Sequence, residues 1–146
     1  MRITLDEWGL RLAVVSAERS PCVRRHVGAV LVKAGRVVSM GYNGPPRGAP
    51  HRTECPGPDQ CVRIGVPSGA AADKVCCVHA EINALIFANR EDASGATLYC
   101  TDSPCTQCAY AIVNAGVVRV VCAKPYADSG GLDVLRRSLI ECEVVE

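Results

Sequence analysis

Apolar and polar positions along the chain change period several times, and each change marks an element. Thr4 followed by Glu7 forms a capping box. Behind it Leu5, Trp8, Leu12 and Val15 recur at helical spacing, predicting an amphipathic helix to about Arg19 that Pro21 ends. Val27 to Val32 and Arg36 to Gly41 are short β-branched runs, and Lys33-Ala34-Gly35 between them suits a tight hairpin loop with glycine at positive φ. From Gly44 to Val78 the sequence loses its periodicity and fills with proline and glycine. That stretch far exceeds the roughly 15 residues a compact domain carries without a functional reason, so something must hold it.

Regularity then returns. The pattern predicts a helix from about His79 to Arg90, a strand from Ala96 to Cys100, a helix from about Cys105 to Ala115 closed by Gly116, and a strand from Val117 to Cys122. A last helix near Leu132 to Leu139 and a short strand from Cys142 to Val145 complete the chain. An antiparallel hairpin followed by alternating helices and strands predicts an α/β class, a three-layer α/β/α domain with a mixed sheet of about five strands.

Composition narrows the function classes. With 146 residues the chain is expected to be one domain, 1–146. Sixteen Lys and Arg against 15 Asp and Glu give a net charge of +1, without the basic excess that grips phosphate backbones, and aromatic residues are only 4%. A polymeric nucleic-acid partner is therefore not expected. Apolar runs stop after about six residues, far short of the roughly 20 that span a bilayer. The acidic residues and Trp8 near the N-terminus leave no apolar core for a signal peptide, so a cytoplasmic protein without a membrane partner is expected.

Ten cysteines are too many for a chain that uses cysteine only as a small core residue. Their spacing suits metal better than disulfides. The clearest cluster is His79-Ala80-Glu81 together with Pro104-Cys105-Thr106-Gln107-Cys108, each opening a predicted helix. A helix N-terminus stabilises thiolates, the metal-binding form of Cys105 and Cys108. His79, Cys105 and Cys108 supply three ligands for Zn2+ and leave one tetrahedral position for water, which is the catalytic pattern rather than the structural one. Glu81, two residues after His79, is placed to move protons without ligating. Separately each motif is weak, since a lone Cys-x-x-Cys also builds knuckles and redox pairs. Together they form the signature of zinc nucleobase deaminases.

The segments Cys22-Val23-Arg24-Arg25-His26-Val27-Gly28-Ala29-Val30, Gly41-Tyr42-Asn43-Gly44-Pro45-Pro46-Arg47-Gly48, His79-Ala80-Glu81-Ile82-Asn83-Ala84 and Ser103-Pro104-Cys105 resemble the deoxycytidylate (dCMP) deaminases, over about residues 10 to 127. The resemblance implies hydrolysis of dCMP to dUMP and ammonia, which feeds thymidylate synthesis. It also implies nucleotide contacts from Asn43 and Tyr126, with Ala80 and Ser103 beside the ligands also in the substrate site. Arg24, Arg25 and Arg47 are candidate clamps for the phosphate. Asp102 departs from the family, which usually carries a hydrophobic residue there. It could repel phosphate, contact a modified base or the ribose, or face solvent. Alternatives within the chemistry are dCTP or 5-substituted dCMP as substrate. A zinc-stabilised binding module without catalysis is the alternative from another class, and Glu81 speaks against it.

Two further expectations follow. Cys100, Cys122 and Cys142 fall in predicted strands as core thiols, leaving Cys22, Cys55, Cys61, Cys76 and Cys77. Four of these could close a structural zinc site that pins the long segment. Relatives with a ligand two residues before the catalytic histidine favour Cys22, Cys55, Cys61 and Cys77, with Cys76 or His51 as substitutes. Relatives also imply a homo-oligomer, a hexamer regulated by dCTP and dTTP, with Mg2+ accompanying the triphosphates. Phe87 stands where they carry a subunit contact, and Arg90 is expected on the same helix face.

Overall fold

A computed structural model of the chain describes residues 1–48, 67 and 77–146. Cys55, Cys61, Cys76 and His51 lie outside the described residues. Helix α1 spans Leu5–Ala17, and the hairpin strands are β1 (Gly28–Lys33) and β2 (Arg36–Tyr42). Then come α2 (Ala80–Phe87), α3 (Arg90–Ala93), β3 (Thr97–Asp102), α4 (Thr106–Ala115), β4 (Arg119–Lys124), α5 (Gly130–Arg137) and β5 (Glu141–Val144).

The five strands form one mixed sheet in the order β2-β1-β3-β4-β5. β1 is antiparallel to β2 and β3, while β3, β4 and β5 run parallel. The three central strands are buried on both faces, which explains their unbroken apolar runs. On one face Val30, Val32, Tyr99 and Val121 pack beneath Ala13 of α1, with Trp8, Leu10 and Leu12 at the margin. On the other, Ala29, Leu31, Leu98, Cys100, Val120 and Cys122 pack with residues of α2, α4 and α5. Three layers result, as the element order requires. At the hairpin both Ala34 (φ 51°) and Gly35 (φ 72°) are left-handed, so the loop is a two-residue turn between the paired Lys33 and Arg36.

The capping box at Thr4 and Glu7 forms as expected, at 3.1 Å and 2.8 Å. The buried stripe of α1 does not. Leu5 and Val15 are exposed, and the helix turns Gly9, Ala13, Ser16 and Ala17 to the sheet. Closeness is the reason: a Cβ on Gly28 would lie 1.9 Å from the Ala13 carbonyl oxygen, so only small residues fit where α1 crosses β1. The helix expected to run to Arg90 also breaks earlier. Ala88 is extended, and Asn89 caps a new short helix by accepting from Asp92 N–H at 2.7 Å, so Arg90 does not continue the face that carries Phe87.

The base of the long segment is closed by backbone. Gly44 and Val78 form an antiparallel bridge at 2.7 Å and 3.2 Å, fixing the residue before His79 against the end of the hairpin. A Cβ on Gly41 would lie 2.3 Å from the Ala80 carbonyl oxygen, so glycine there lets β2 meet the first turn of α2. Among the described residues no helix is long and apolar enough to cross a membrane.

Candidate active site

His79 is the N-cap of α2 and Cys105 the N-cap of α4, both extended and neither making a side-chain capping bond. Their side chains are thus free of the usual capping role and point elsewhere. Glu81 is the second residue of α2 and Cys108 the third of α4, each within the first turn after its cap. The ligand atoms of His79, Cys105 and Cys108 lie within 4.8 Å of one another. His79 Nδ1 is 3.3 Å from Cys108 Sγ and 3.6 Å from Cys105 Sγ. Tetrahedral zinc with bonds of about 2.0 Å to nitrogen and 2.3 Å to sulfur needs neighbouring ligands about 3.5 Å apart, so the donor set and its spacing fit Zn2+.

The electrostatics follow from hydrogen bonds within the cluster and from burial, and they favour the thiolate at Cys105 but, against the expectation from the helix start, not at Cys108. The Cys105 thiol is lowered to about 4, first by the hydrogen bond with Cys108 and then by His79, against the opposing effect of burial. Cys108, more deeply buried, is raised well above the ordinary thiol range, because it supplies that hydrogen bond and sits near Glu81. His79 is raised, chiefly by its bond to Cys105. Glu81 is 4% exposed and its carboxyl is raised to about 7 by burial, with its own backbone N–H and His79 opposing the rise. Its Oε2 lies 3.8 Å from Cys108 Sγ. A carboxyl near neutrality beside a metal-binding cluster can take up and release a proton at the same pH.

A second tier stands beside this cluster. Arg25 is paired with Asp102 at the end of β3, and its guanidinium lies 4.6 Å from the centre of the Tyr126 ring. Ser103 Oγ accepts from Tyr126 N–H at 2.7 Å, fixing the turn after β4. Asn43 is buried, accepts from Val27 N–H and donates to the Arg25 carbonyl, each at 2.9 Å. Ala80 is fully buried at the first turn of α2. Asp102, left open between three readings on sequence, is 3% exposed and does not face solvent. Arg24 is half-buried. Arg47 is exposed, and among the described residues no hydrogen bond or ion pair joins it to the cluster. Cys22 is buried and Cys77 half-buried, with the other candidates for their metal site outside the described residues. Cys100 and Cys122 are paired in register and fully buried, as expected of core thiols, and Cys142 packs at the core margin.

Sequence reading missed Asp128. Its Oδ2 accepts from Thr106 Oγ1 at 3.1 Å and its Oδ1 from Gly130 N–H at 2.9 Å, tying the first turn of α4, and hence Cys105 and Cys108, to the start of α5. The run Asp128-Ser129-Gly130 is an Asx-turn signal that pointed to it. Close packing completes the joint, since a Cβ on Gly131 would lie 1.9 Å from the Pro104 carbonyl oxygen.

Comparison with known proteins places this arrangement. The cytidine and deoxycytidylate deaminase zinc-binding region matches residues 3–124. A deoxycytidylate deaminase of Mycobacterium phage D29 is 45% identical over 120 residues, covering 82% of this chain and 94% of that protein. One from Schizosaccharomyces pombe is 38% identical over 148 residues, and there the match spans only 44% of the yeast protein. The structure of a cyanophage S-TIM5 dCMP deaminase in complex with dCMP and dUMP superposes with a TM-score of 0.78 at 32% identity, covering 99% of each chain.

Proposed function

This chain belongs to the cytidine and deoxycytidylate deaminase family, and from that premise we propose that it hydrolyses dCMP to dUMP and ammonia. The observation that carries the reading is the convergence of His79, Cys105 and Cys108 within 4.8 Å beside the buried Glu81. His79, Cys105 and Cys108 would hold zinc, which would supply a Lewis acid to activate the attacking water.

The chain's own groups do the rest. Glu81, with its carboxyl raised to about 7, accepts a proton from the attacking water and passes it to ring N3 as oxygen adds at C4, then takes the proton of the new C4 hydroxyl and delivers it to the departing amine as the C4–N bond breaks. Water adds and ammonia leaves, so Glu81 ends in the protonation state in which it began. Asn43, Ala80, Ser103 and Tyr126 line the nucleotide site. Arg25 grips the phosphate, assisted by Arg24 and Arg47. The burial of Glu81 excludes bulk water from the proton path.

The wider reading is a cytoplasmic enzyme supplying thymidylate precursors, with one catalytic domain over 1–146. A structural zinc at Cys22, Cys55, Cys61 and Cys77, with Cys76 or His51 as substitute ligands, reinforces the long segment. The chain assembles as a homo-oligomer, a hexamer responsive to dCTP and dTTP with Mg2+. Exposed Ile86, Phe87 and Tyr110 on the packed pair α2 and α4 support assembly, because apolar side chains this exposed suit a subunit contact.

A nucleotide panel tests the activity, following loss of the amine by absorbance for cytidine, CMP, dCMP, dCTP and 5-methyl-dCMP. The expected result is turnover highest with dCMP. Preference for dCTP or the methylated nucleotide would reassign the substrate, and no turnover of any would overturn the reading.

A further inference from the structure

The Arg25 and Asp102 pair leaves one feature that protein contacts alone do not use. A guanidinium and a carboxylate fit each other through two parallel hydrogen bonds, and a buried pair gains most from that fork. Here only Asp102 Oδ2 meets Arg25. Asp102 Oδ1 is fully buried and accepts no hydrogen bond from any described residue. The Asp102 side chain is 5% exposed, so bulk water does not satisfy that oxygen.

Asp102 also stands within reach of the chemistry. It ends β3 three residues before Cys105, at the carboxyl end of the parallel strands, where open α/β sheets place their ligands. Its charge is felt at Glu81, and its partner Arg25 is felt at His79.

We propose that Asp102 is a substrate-selecting residue whose Oδ1, covered in this structure, is uncovered when the nucleotide binds and accepts a hydrogen bond from an uncharged donor on it, either a sugar hydroxyl or a polar group on pyrimidine C5. The proposal rests on the nucleotide-deaminase reading above. A phosphate is excluded as the partner of Oδ1, because it brings negative charge and acceptors to an oxygen that is itself an acceptor. Arg25 and Asp102 therefore divide the work: the guanidinium keeps donors for the phosphate, and the carboxylate reads a donor elsewhere on the same molecule.

The test compares wild type, Asp102→Leu and Asp102→Asn on dCMP, 2′,3′-dideoxycytidine monophosphate and 5-hydroxymethyl-dCMP, with zinc content and melting followed in parallel. If the donor is the sugar hydroxyl, Asp102→Leu lowers kcat/KM for dCMP at least about ten-fold more than for the dideoxy compound, beyond the loss that both share through Arg25. If it is the C5 group, the same variant loses at least about ten-fold more on 5-hydroxymethyl-dCMP than on dCMP. Asp102→Asn retains an acceptor oxygen and keeps most of the discrimination. Equal losses on all three compounds would reduce Asp102 to an anchor for Arg25 and overturn the proposal. Should Asp102→Leu fail to fold, wild type still decides: equal kcat/KM on the three compounds overturns the selecting role while leaving the deaminase reading intact. Wild type inactive on all three would overturn the deaminase reading itself.

Discussion

The Nδ2 of Asn43 donates to the Arg25 carbonyl at 2.9 Å while its Oδ1 accepts from Val27 N–H, so the asparagine that follows β2 holds the backbone of the arginine beside the candidate site. Removing that side chain leaves two backbone groups unpaired in a partly buried place. Asn43→Ala is expected to cost about 1–3 kcal/mol of stability, read by urea unfolding, and to raise KM for dCMP. Unchanged stability with a raised KM would assign Asn43 to substrate alone.

Glu81→Gln keeps shape and burial but removes the proton carrier. Turnover should fall by about 10²–10⁴-fold while zinc content stays at the wild-type level. Near-normal turnover in this variant would show the proton route to be wrong.

Metal content distinguishes the two sites. Near two zinc per chain is expected by elemental analysis. Cys105→Ser should remove the ion held with His79 and Cys108 and abolish activity, whereas Cys55→Ser with Cys61→Ser should remove the other and destabilise the long segment. One zinc per chain in fully active enzyme would leave that segment without its proposed anchor.

Phe87 is 67% exposed and Ile86 63%, on the outer side of α2. Phe87→Asp is expected to shift sedimentation toward smaller species while leaving the melting of the monomer close to wild type. A wild type that sediments only as monomer at working concentration would remove the basis for this expectation.

Stability at acid pH should report Asp6. Its carboxyl is held below the ordinary value, first by the hydrogen bonds from Arg119 at 2.7 Å and 2.8 Å, with burial opposing. A lowered folded-state value means the contribution is fully present above the unfolded value near 3.8 and is lost as pH falls through the folded one. Unfolding free energy measured from pH 6 down to pH 2.5 should therefore fall less steeply in Asp6→Asn than in wild type. Identical slopes would mean that the pair is screened out by solvent.

Much of the molecule is legible in its sequence. The order of helices and strands, the five-stranded mixed sheet, the capping box at Thr4 and the positions of His79 and Cys105 at helix starts all follow from local patterns, because capping and periodicity act within a few residues. One difference has a non-local cause and one a local cause. The apolar spacing of Leu5 and Val15 suggested a buried stripe, but the approach of α1 to Gly28 rewards small side chains over large ones. The break after Phe87 came from Asn89, whose capping power is visible in sequence but competes there with a continuing apolar pattern.

Sequence by itself determined the candidate reacting groups: a histidine, two cysteines and a carboxylate, in a pair of motifs whose combination suits zinc. Tertiary structure alone decided their company. Asp102 and Arg25 lie far apart in the chain, and so do Asp128 and Thr106, yet each pair meets: Arg25 precedes β1, which is antiparallel to β3 and starts where β3 ends, and Asp128 follows β4, which is parallel to β3 and ends at the same edge. A buried oxygen without a partner cannot be read from a string of residues. It exists only once the sheet has closed around Asp102 and left that oxygen without a donor among the described residues.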